Sequence, residues 1–350
     1  VMDFAAMSLL LIVAQFLRAK VKFLQRFYIP ASVLAGIMGL VLGPQVLGVI
    51  QWSDKIGSYA YLLICVVFAG LYLGKTEKAS IKTVFRNVGD TFCMNMGTEF
   101  VCFGSALLIG GILISVIFPD VFNQICLLMP SGYCGGHGYA ATIGAALNNL
   151  LGRDDCVQIG QTFATLGLLT GLFGGIACIN WAARHGATRL VKEASVLPED
   201  CLTGIVPPER QGSMGKETIN PMSMDPLAWH MALTLLAFFI GYKFYYWYKQ
   251  YLPNIELPMM CLTMIAGVII QTILNHTKFR NSVDKHVEDR IGSMATDYLV
   301  GFGVASISIT VVKSFIGPIV VLCILGTIWP LFMVFWLGRR LYHNFWFERS

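Results

Sequence analysis

Residues 121–151 read VFNQICLLMPSGYCGGHGYAATIGAALNNLL, and this stretch decides how the rest of the chain is arranged. It is apolar at both ends and long enough to enter a bilayer, but Pro130 and four glycines interrupt its middle. Proline removes a helical hydrogen bond and glycine weakens a helix, so a straight helix would break there. The pattern predicts either a broken crossing or two short helical arms that meet at a glycine-rich tip.

The composition around this stretch is that of an integral membrane protein. Hydrophobic residues make up 56% of the 350, and only 13% are charged, which is about half of the roughly 25% found in soluble domains. The net charge of +5 is spread over short loops and forms no patch, so nucleic acid is not an expected partner. The ten cysteines contain no CxxC pair and indicate neither a zinc site nor a disulfide framework. Membrane lipid is therefore the expected solvent of most of the chain.

Nine other apolar stretches have about the length that a transmembrane helix needs. We predict crossings at residues 4–17, 28–50, 56–73, 92–118, 157–183, 226–248, 257–274, 291–312 and 317–337. They should be helical, since lipid offers no partners for free backbone groups. The predicted fold class is thus an all-α integral membrane protein with about nine transmembrane helices.

The distribution of basic residues distinguishes the two structures possible for the broken stretch. If residues 121–152 return to the side from which they came, twenty of the 25 Lys and Arg residues lie on one side of the membrane. A full crossing would remove this asymmetry, and basic loops are normally cytoplasmic. We therefore predict a re-entrant hairpin that enters from outside, an N-terminus outside, and a cytoplasmic linker at 184–225.

Two short patterns suggest that the chain contains an internal duplication. Pro30 and Gly39 recur as Pro258 and Gly267 at matching spacing, and the next span of each half opens with Ile-Gly-Ser, at 56–58 and 291–293. Because the predicted first repeat has five crossings and a hairpin, the second would be inverted relative to it. Inverted repeats are typical of secondary transporters. The predicted division is a first repeat at 1–183, the linker at 184–225 and an incomplete second repeat at 226–350.

The predicted hairpin tip is the first candidate binding site. Glycines leave backbone N–H groups uncovered, and such a nest suits a carboxylate. The candidate solute-binding residues are Ser131, Gly135, Gly136, His137, Gly138 and Thr165. The small residues would equally suit close helix packing, and His137 would either donate to a solute or satisfy the hairpin backbone. The glycines that follow Thr165 in the next span fit packing against the hairpin best.

Two carboxylates at predicted membrane depth are the candidate ion-coupling residues. Glu99 and Asp297 each lie inside a predicted span, where an ionisable group is costly and usually faces a cavity. An interior hydrogen bond or a place near the interface would also explain them. We predict a sodium site at Asp297, beside Thr296, and expect His230, near a span end, to reach the interface. No catalytic or cofactor motif is present, so we expect neither enzymatic activity nor an organic cofactor.

At these residues the chain resembles the bacterial sodium/glutamate symporter family. The resemblance rests on Gly135-Gly136-His137-Gly138, on Phe163-Ala164-Thr165-Leu166-Gly167 with the Gly174-Gly175 pair after it, on Ile29-Pro30 and on Glu256-Leu257-Pro258. It implies a sodium-coupled carrier of the cytoplasmic (inner) membrane, built from inverted repeats that each hold a re-entrant hairpin. It also implies a homodimer in which a transport domain moves against a scaffold.

The chain departs from that family at the tip and at its end. Cys134 stands where the glutamate carriers have Ser, and Tyr139 and Ala140 replace Thr and Gly. Ser350 falls where a second hairpin would begin, as expected of a truncated member. The resulting hypothesis is sodium-coupled symport of glutamate or a related anionic or zwitterionic solute. The alternatives are a non-transporting scaffold or regulatory remnant, and an ion-pumping membrane subunit that uses Asp297 and His137.

Overall fold

A computed structural model describes residues 1–26, 29–75, 81–188, 203–252, 257–342 and 347. All regular secondary structure in these residues is helical, as the composition predicts. Parts of two predicted features lie outside the described residues. These are the start of the 28–50 span and residues 189–202 of the linker.

The first half contains eight described helices. They are α1 (Met2–Lys20), α2 (Lys22–Arg26), α3 (Ala31–Leu42), α4 (Ile56–Gly70), α5 (Ile81–Ser105), α6 (Gly111–Ile117), α7 (Ile125–Leu151) and α8 (Cys156–Arg184). A π-helical segment at Ala106–Gly110 joins α5 to α6, so the two form one long element. Each span predicted in this half contains a described helix, but the helix in the 28–50 span covers only Ala31–Leu42.

The second half contains six described helices. They are α9 (Pro226–Tyr251), α10 (Met259–Asn275), α11 (Lys285–Ala305), α12 (Ile309–Ser314), α13 (Ile316–Phe332) and α14 (Arg339–Leu341). A 3-10 turn at Pro208–Arg210 precedes them, and a π-helical segment at Met333–Gly338 extends α13. Asp225 begins α9 by accepting hydrogen bonds from the backbone N–H groups of Leu227 and Ala228.

The predicted span at 291–312 is divided in the structure. Helix α11 ends at Ala305, and α12 begins only after Ser308, whose side chain accepts from the N–H of Val311. Gln45 supports the break, because its amide donates to the carbonyl of Ile307 and accepts from the N–H of Ile309. Hydropathy alone does not show this interruption, since the residues on both sides are apolar.

Five described helical elements are long and apolar enough to cross a membrane. They are Met2–Lys20, Gly89–Ile117, Cys156–Ile179, Pro226–Tyr251 and Ile316–Leu341. Only 22–28% of each apolar window is buried inside the protein, so most of the apolar surface needs lipid around it. Shorter apolar helices, such as α3, α4 and α10, lie among them. The chain is a multi-pass membrane protein.

Helices of the two halves interlock at small residues. A Cβ atom on Gly39 of α3 would lie 3.0 Å from the Cβ of Ala305 at the end of α11. In the other half, Gly267 of α10 lies against the carbonyl oxygen of Ala69, near the end of α4. Such close backbone approaches are typical of helix pairs in membranes.

Helices α4 and α11 run antiparallel at the centre of this arrangement. The start of α4 meets the end of α11, where the rings of Tyr59 and Phe302 lie 4.9 Å apart. The segment that follows the end of α4 contacts the start of α11, where a Cβ on Gly74 would lie 2.7 Å from the backbone nitrogen of Lys285.

Helix α7 is two helical arms that fold back on each other. Gly136 has non-helical dihedral angles, φ 65° and ψ −165°. A straight helix of this length would extend roughly 40 Å at 1.5 Å per residue. Instead, residues that flank the two ends of α7 are in contact: the guanidinium of Arg153 lies 4.3 Å from the ring centroid of Phe122.

Contacts with α8 agree with this reversal. Gly132 in the first arm packs against Ala164, and Ala140 in the second arm packs against Gly160. Positions on opposite sides of Gly136 therefore contact the same turn of α8. The arms, 125–135 and 137–151, are called the hairpin below, and Gly136 is at its tip.

Candidate functional site

The hairpin tip exposes backbone where the sequence predicts it. Cys134 and Gly135 are exposed and Gly136 is partly exposed. A Cβ on Gly136 would meet no atom within 4 Å, so the glycine is needed for its backbone conformation rather than for space. A positive φ is costly for residues with a Cβ, by roughly 1–2 kcal/mol. The tip therefore depends on Gly136 for its shape and presents open backbone.

His137 ties the tip to α8. Its side chain is 2% exposed, and its Nε2 lies 2.9 Å from the hydroxyl of Thr165. The Thr165 hydroxyl donates to the carbonyl of Gln161, so Nε2 of His137 is the donor in this pair. The Gln161 amide donates in turn to the backbone carbonyl of His137. In this conformation His137 donates to a neighbouring side chain, neither to the hairpin backbone nor to open space.

The remaining predicted tip residues are packed. Ser131 is fully buried and its hydroxyl donates to the carbonyl of Leu128. Gly138 is buried, and a Cβ there would lie 2.5 Å from Ile64 of α4. Of the six predicted solute-binding residues, Gly135, Gly136 and the half-buried Thr165 retain exposed surface. Direct contact with a solute stays a prediction for all six.

A cavity of about 660 Å³ lies beside the first arm of the hairpin. Tyr133 and Cys134 line it from the hairpin, and Gly167 and Gly171 line it from α8. Glu99 of α5 faces the same space. The glycine face of α8 thus does more than pack against the hairpin, because part of it is open to the cavity.

Several polar residues of this cavity were not predicted from the sequence. They are Asn95, Thr98, Thr170 and Thr327. Asn95 and Thr98 precede Glu99 by one helical turn or less, and this polar patch within an apolar span was a usable signal. Thr327 comes from α13 in the second half, and nothing local connects it with Glu99.

The structure does not bring Asp297 to this cavity. Asp297 lies on an exposed face of α11, where its carboxylate is close to the side chain of Ser32 on α3. Its neighbour Thr296 is also exposed, and its hydroxyl donates to the carbonyl of Gly292. Glu99 and Asp297 are therefore separate, and in the described part of the chain no group of three or more His, Cys, Asp or Glu residues is arranged to hold a metal ion.

The fold and the cavity define a class: a multi-pass helical membrane protein with a broken helical hairpin beside a cavity that contains polar side chains. A family model described as sodium/glutamate symporter matches residues 1–345. The chain belongs to the sodium/glutamate symporter family. No curated protein and no solved structure matches it. Membership places the chain in a family of transporters, and sodium and glutamate are the ion and solute in that family's description.

Proposed function

We propose that this protein couples sodium entry to the uptake of glutamate or a closely related amino acid across the bacterial cytoplasmic membrane. The observation that carries the proposal is the cavity that the hairpin, the glycine face of α8 and Glu99 share. It places Tyr133 and Cys134, which immediately precede the turn of the hairpin, beside the ionisable side chain of Glu99. Solute sites of secondary transporters are built from such broken helices.

The chemistry of the cavity fits a solute that carries a negatively charged carboxylate and a positively charged ammonium group. The second arm begins at His137, and the N–H groups of its first turn form the positive end of a helix next to the tip, which suits a carboxylate. Glu99 offers a carboxylate for an ammonium group or a sodium ion. A dicarboxylate without an amino group would meet Glu99 with a like charge. The proposed solute is therefore a zwitterionic amino acid with an acidic side chain.

The proposed architecture is a pair of inverted repeats in which the hairpin is re-entrant. Repeats related by a two-fold axis in the membrane plane place equivalent helices antiparallel, and α4 and α11 are antiparallel. The contact of Gly39 with Ala305 has its counterpart in that of Gly267 with Ala69. These reciprocal contacts support a second half that is inverted relative to the first. With the basic loops on the cytoplasmic side, the proposed chain has nine crossings, an outside N-terminus and a cytoplasmic linker. Homodimerisation through lipid-facing helices completes the proposal.

Uptake of labelled glutamate into proteoliposomes tests the proposed function. We expect accumulation that requires an inward sodium gradient and disappears when sodium is equal on both sides. Vesicles without protein, and protein-containing vesicles with a potassium gradient, are the controls. Equal uptake with and without the sodium gradient would refute coupling. Absence of any uptake by folded protein would favour the scaffold alternative.

Sodium binding at Asp297 remains part of the proposal. The carboxylate and the neighbouring Ser32 hydroxyl supply oxygen ligands, the type that hard cations prefer. We expect Asp297→Asn to raise the sodium concentration needed for half-maximal uptake, with little change in glutamate affinity at saturating sodium. Asp289→Asn, at an exposed position of the same helix, is the matched control. An unchanged sodium response would remove Asp297 from the ion path.

A further inference from the structure

A buried carboxyl group lies far from the cavity, where three helices meet. Glu288 of α11 is 2% exposed. Its Oε2 lies 2.7 Å from the hydroxyl of Thr234 on α9, which is fully buried. Gly70 at the end of α4 closes the third side, since a Cβ there would lie 3.2 Å from Oε2. Within the described part of the chain, Oε1 is buried and has no hydrogen-bond partner.

The cations near this carboxyl group are engaged elsewhere. Lys285, one turn earlier on α11, forms an ion pair with Asp289 on the exposed side of the helix. On α9, Nε2 of His230 accepts from the N–H of Asp284, and Nδ1 therefore donates to the carbonyl of Pro226. This arrangement makes His230 a neutral imidazole. It is fully buried and does not reach the interface as expected from the sequence.

The other neighbouring elements add no compensating charge. Asp284, which precedes α11, accepts from the backbone N–H groups of His286 and Lys216. Helix α10 contributes the neutral amide of Gln271, which accepts from the N–H of Gly74. Beyond the end of α4, Lys75 lies over the ring of Tyr72. An ionised Glu288 would thus be a buried charge with one hydroxyl donor and an unpartnered oxygen.

Asp3 shows how the same protein supports a carboxylate with full hydrogen bonding. Its Oδ1 accepts from the N–H of Ser53, and its Oδ2 accepts from the hydroxyls of Ser53 and Tyr59, the latter at 2.8 Å. Glu288 has one donor where Asp3 has three. Burying an ionised carboxylate without such partners is very costly, and a group in that position takes up a proton instead.

The hydrogen bond to Thr234 is compatible with a proton on Glu288. A threonine hydroxyl can donate or accept. With the proton on Oε2, the carboxyl donates to Thr234, and Oε1 becomes a neutral carbonyl oxygen, whose burial costs far less than that of a charged oxygen. The observed 2.7 Å distance then persists with the donor and acceptor reversed.

We propose that Glu288 is a proton-binding site that holds its proton while α4, α9 and α11 are packed together and releases it to water when that packing opens. The site joins α4 of the first half to α9 and α11 of the second half. Any motion that separates these helices at Gly70 would expose the carboxyl group of Glu288 to water. Proton binding at Glu288 is thus linked to the packing of the two halves, and the proposal does not depend on the identity of the solute.

Thermal unfolding of the purified protein as a function of pH tests the proposal. The folded protein would bind a proton that an unfolded glutamic acid, with a pKa near 4.3, has lost at neutral pH. Stability should therefore fall as the pH rises above about 5. Glu288→Gln keeps the shape, removes the titration and should flatten this slope, whereas the control Asp54→Asn, at an exposed carboxylate near the start of α4, should keep it. Parallel slopes for wild type and Glu288→Gln would overturn the proposal.

Two direct measurements test the protonation of Glu288 even if Glu288→Gln fails to fold. Unfolding the wild type at pH 7 in weak buffer should release a proton, seen with a pH indicator. An infrared band of a protonated carboxyl should be present at pH 7 and should shift in Thr234→Val, which loses the hydrogen bond. Absence of both proton release and a Thr234-sensitive band would show that Glu288 is ionised, and the proposal would be wrong.

Discussion

The residues that hold the tip of the hairpin are polar and largely buried, and each hydrogen bond among them has a defined direction. His137 donates to Thr165, Thr165 donates to Gln161, and the Gln161 amide returns to the His137 carbonyl. This closed set of three hydrogen bonds fixes the start of the second arm against α8, immediately after Gly136. Because the side chain of His137 is engaged in these hydrogen bonds, the exposed backbone at Gly135 and Gly136 is the better candidate for solute contact.

The first prediction concerns Gly136. Gly136→Val places a β-branched side chain at φ 65°, where the strain is in the backbone and not in contacts with neighbours. We expect the tip to rearrange and sodium-driven glutamate uptake to be lost, while the protein still inserts and purifies.

The control for this change is Gly292→Val, a helical position where an added Cβ also meets no atom within 4 Å. It should retain uptake. Normal uptake by Gly136→Val would show that the tip only packs and that the solute binds elsewhere.

The second prediction concerns Glu99 and the charge of the solute. Glutarate has both carboxylates of glutamate but no amino group. If Glu99 accepts from the ammonium group, Glu99→Gln should weaken glutamate binding by the value of a charged hydrogen bond, about 1.5–3 kcal/mol or roughly 10- to 100-fold. Glutarate should bind the variant at least as well as it binds the wild type.

Competition by both compounds against labelled glutamate measures this difference. Thr98→Val, at the adjacent cavity position, is the control and should not change the ratio of the two affinities. If Glu99→Gln weakens the binding of glutamate and glutarate equally, then Glu99 does not bind the amino group of glutamate.

At the scale of elements, helix contacts in this protein are set by small residues and by breaks. Glycines bring α3 onto α11 and α10 onto α4, and Gly136 divides α7 into arms. A smaller break follows Ala305, where Gln45 of the other half bonds both sides of the interruption. The elements are therefore positioned by residues whose sequence signal is weak when each is taken alone.

The third prediction tests one of these contacts. Gly267→Ala puts a methyl group where the carbonyl oxygen of Ala69 now lies, and backbone atoms cannot move aside cheaply. Such overpacking typically costs about 1–3 kcal/mol. We expect a lower unfolding temperature in detergent.

Gly57→Ala is the matched control, since a Cβ on Gly57 meets nothing within 4 Å. It should leave the unfolding temperature nearly unchanged or raise it slightly through helix propensity. If the two variants unfold at the same temperature, then α10 and α4 are not in close contact in the membrane.

At the scale of the whole molecule, the helix arrangement has consequences for how the chain is placed across the bilayer. The hairpin geometry and the antiparallel α4 and α11 agree with a chain whose two halves have opposite orientations. The linker would then be cytoplasmic and the base of the hairpin, at Phe122 and Arg153, would face outward.

The fourth prediction places these two regions on opposite sides. On a background without native cysteines, Arg210→Cys should react with an impermeant thiol reagent only from the cytoplasmic side. Asn123→Cys, at the base of the hairpin, should react only from outside. Labelling of both positions from the same side would contradict the re-entrant hairpin and the nine crossings.

The sequence by itself determined the membrane environment, the helical fold, the approximate positions of the described apolar helices and the family, but not the interruption after Ala305. Hydropathy and glycine or proline breaks are local properties, and a helix in lipid satisfies its own backbone, so local patterns are enough for these conclusions. The break at Gly136 was predicted for the same reason.

Tertiary structure alone decided which polar groups meet. Glu99 shares a cavity with Thr327 from the other half, Asp297 lies apart from it, and Glu288 is buried against Thr234. These pairs are far apart in sequence and come together through helix contacts such as that of Gly267 with Ala69. A lone carboxylate within an apolar span looks the same in sequence whether it faces a cavity, another helix or the surface, because its environment is supplied by distant residues.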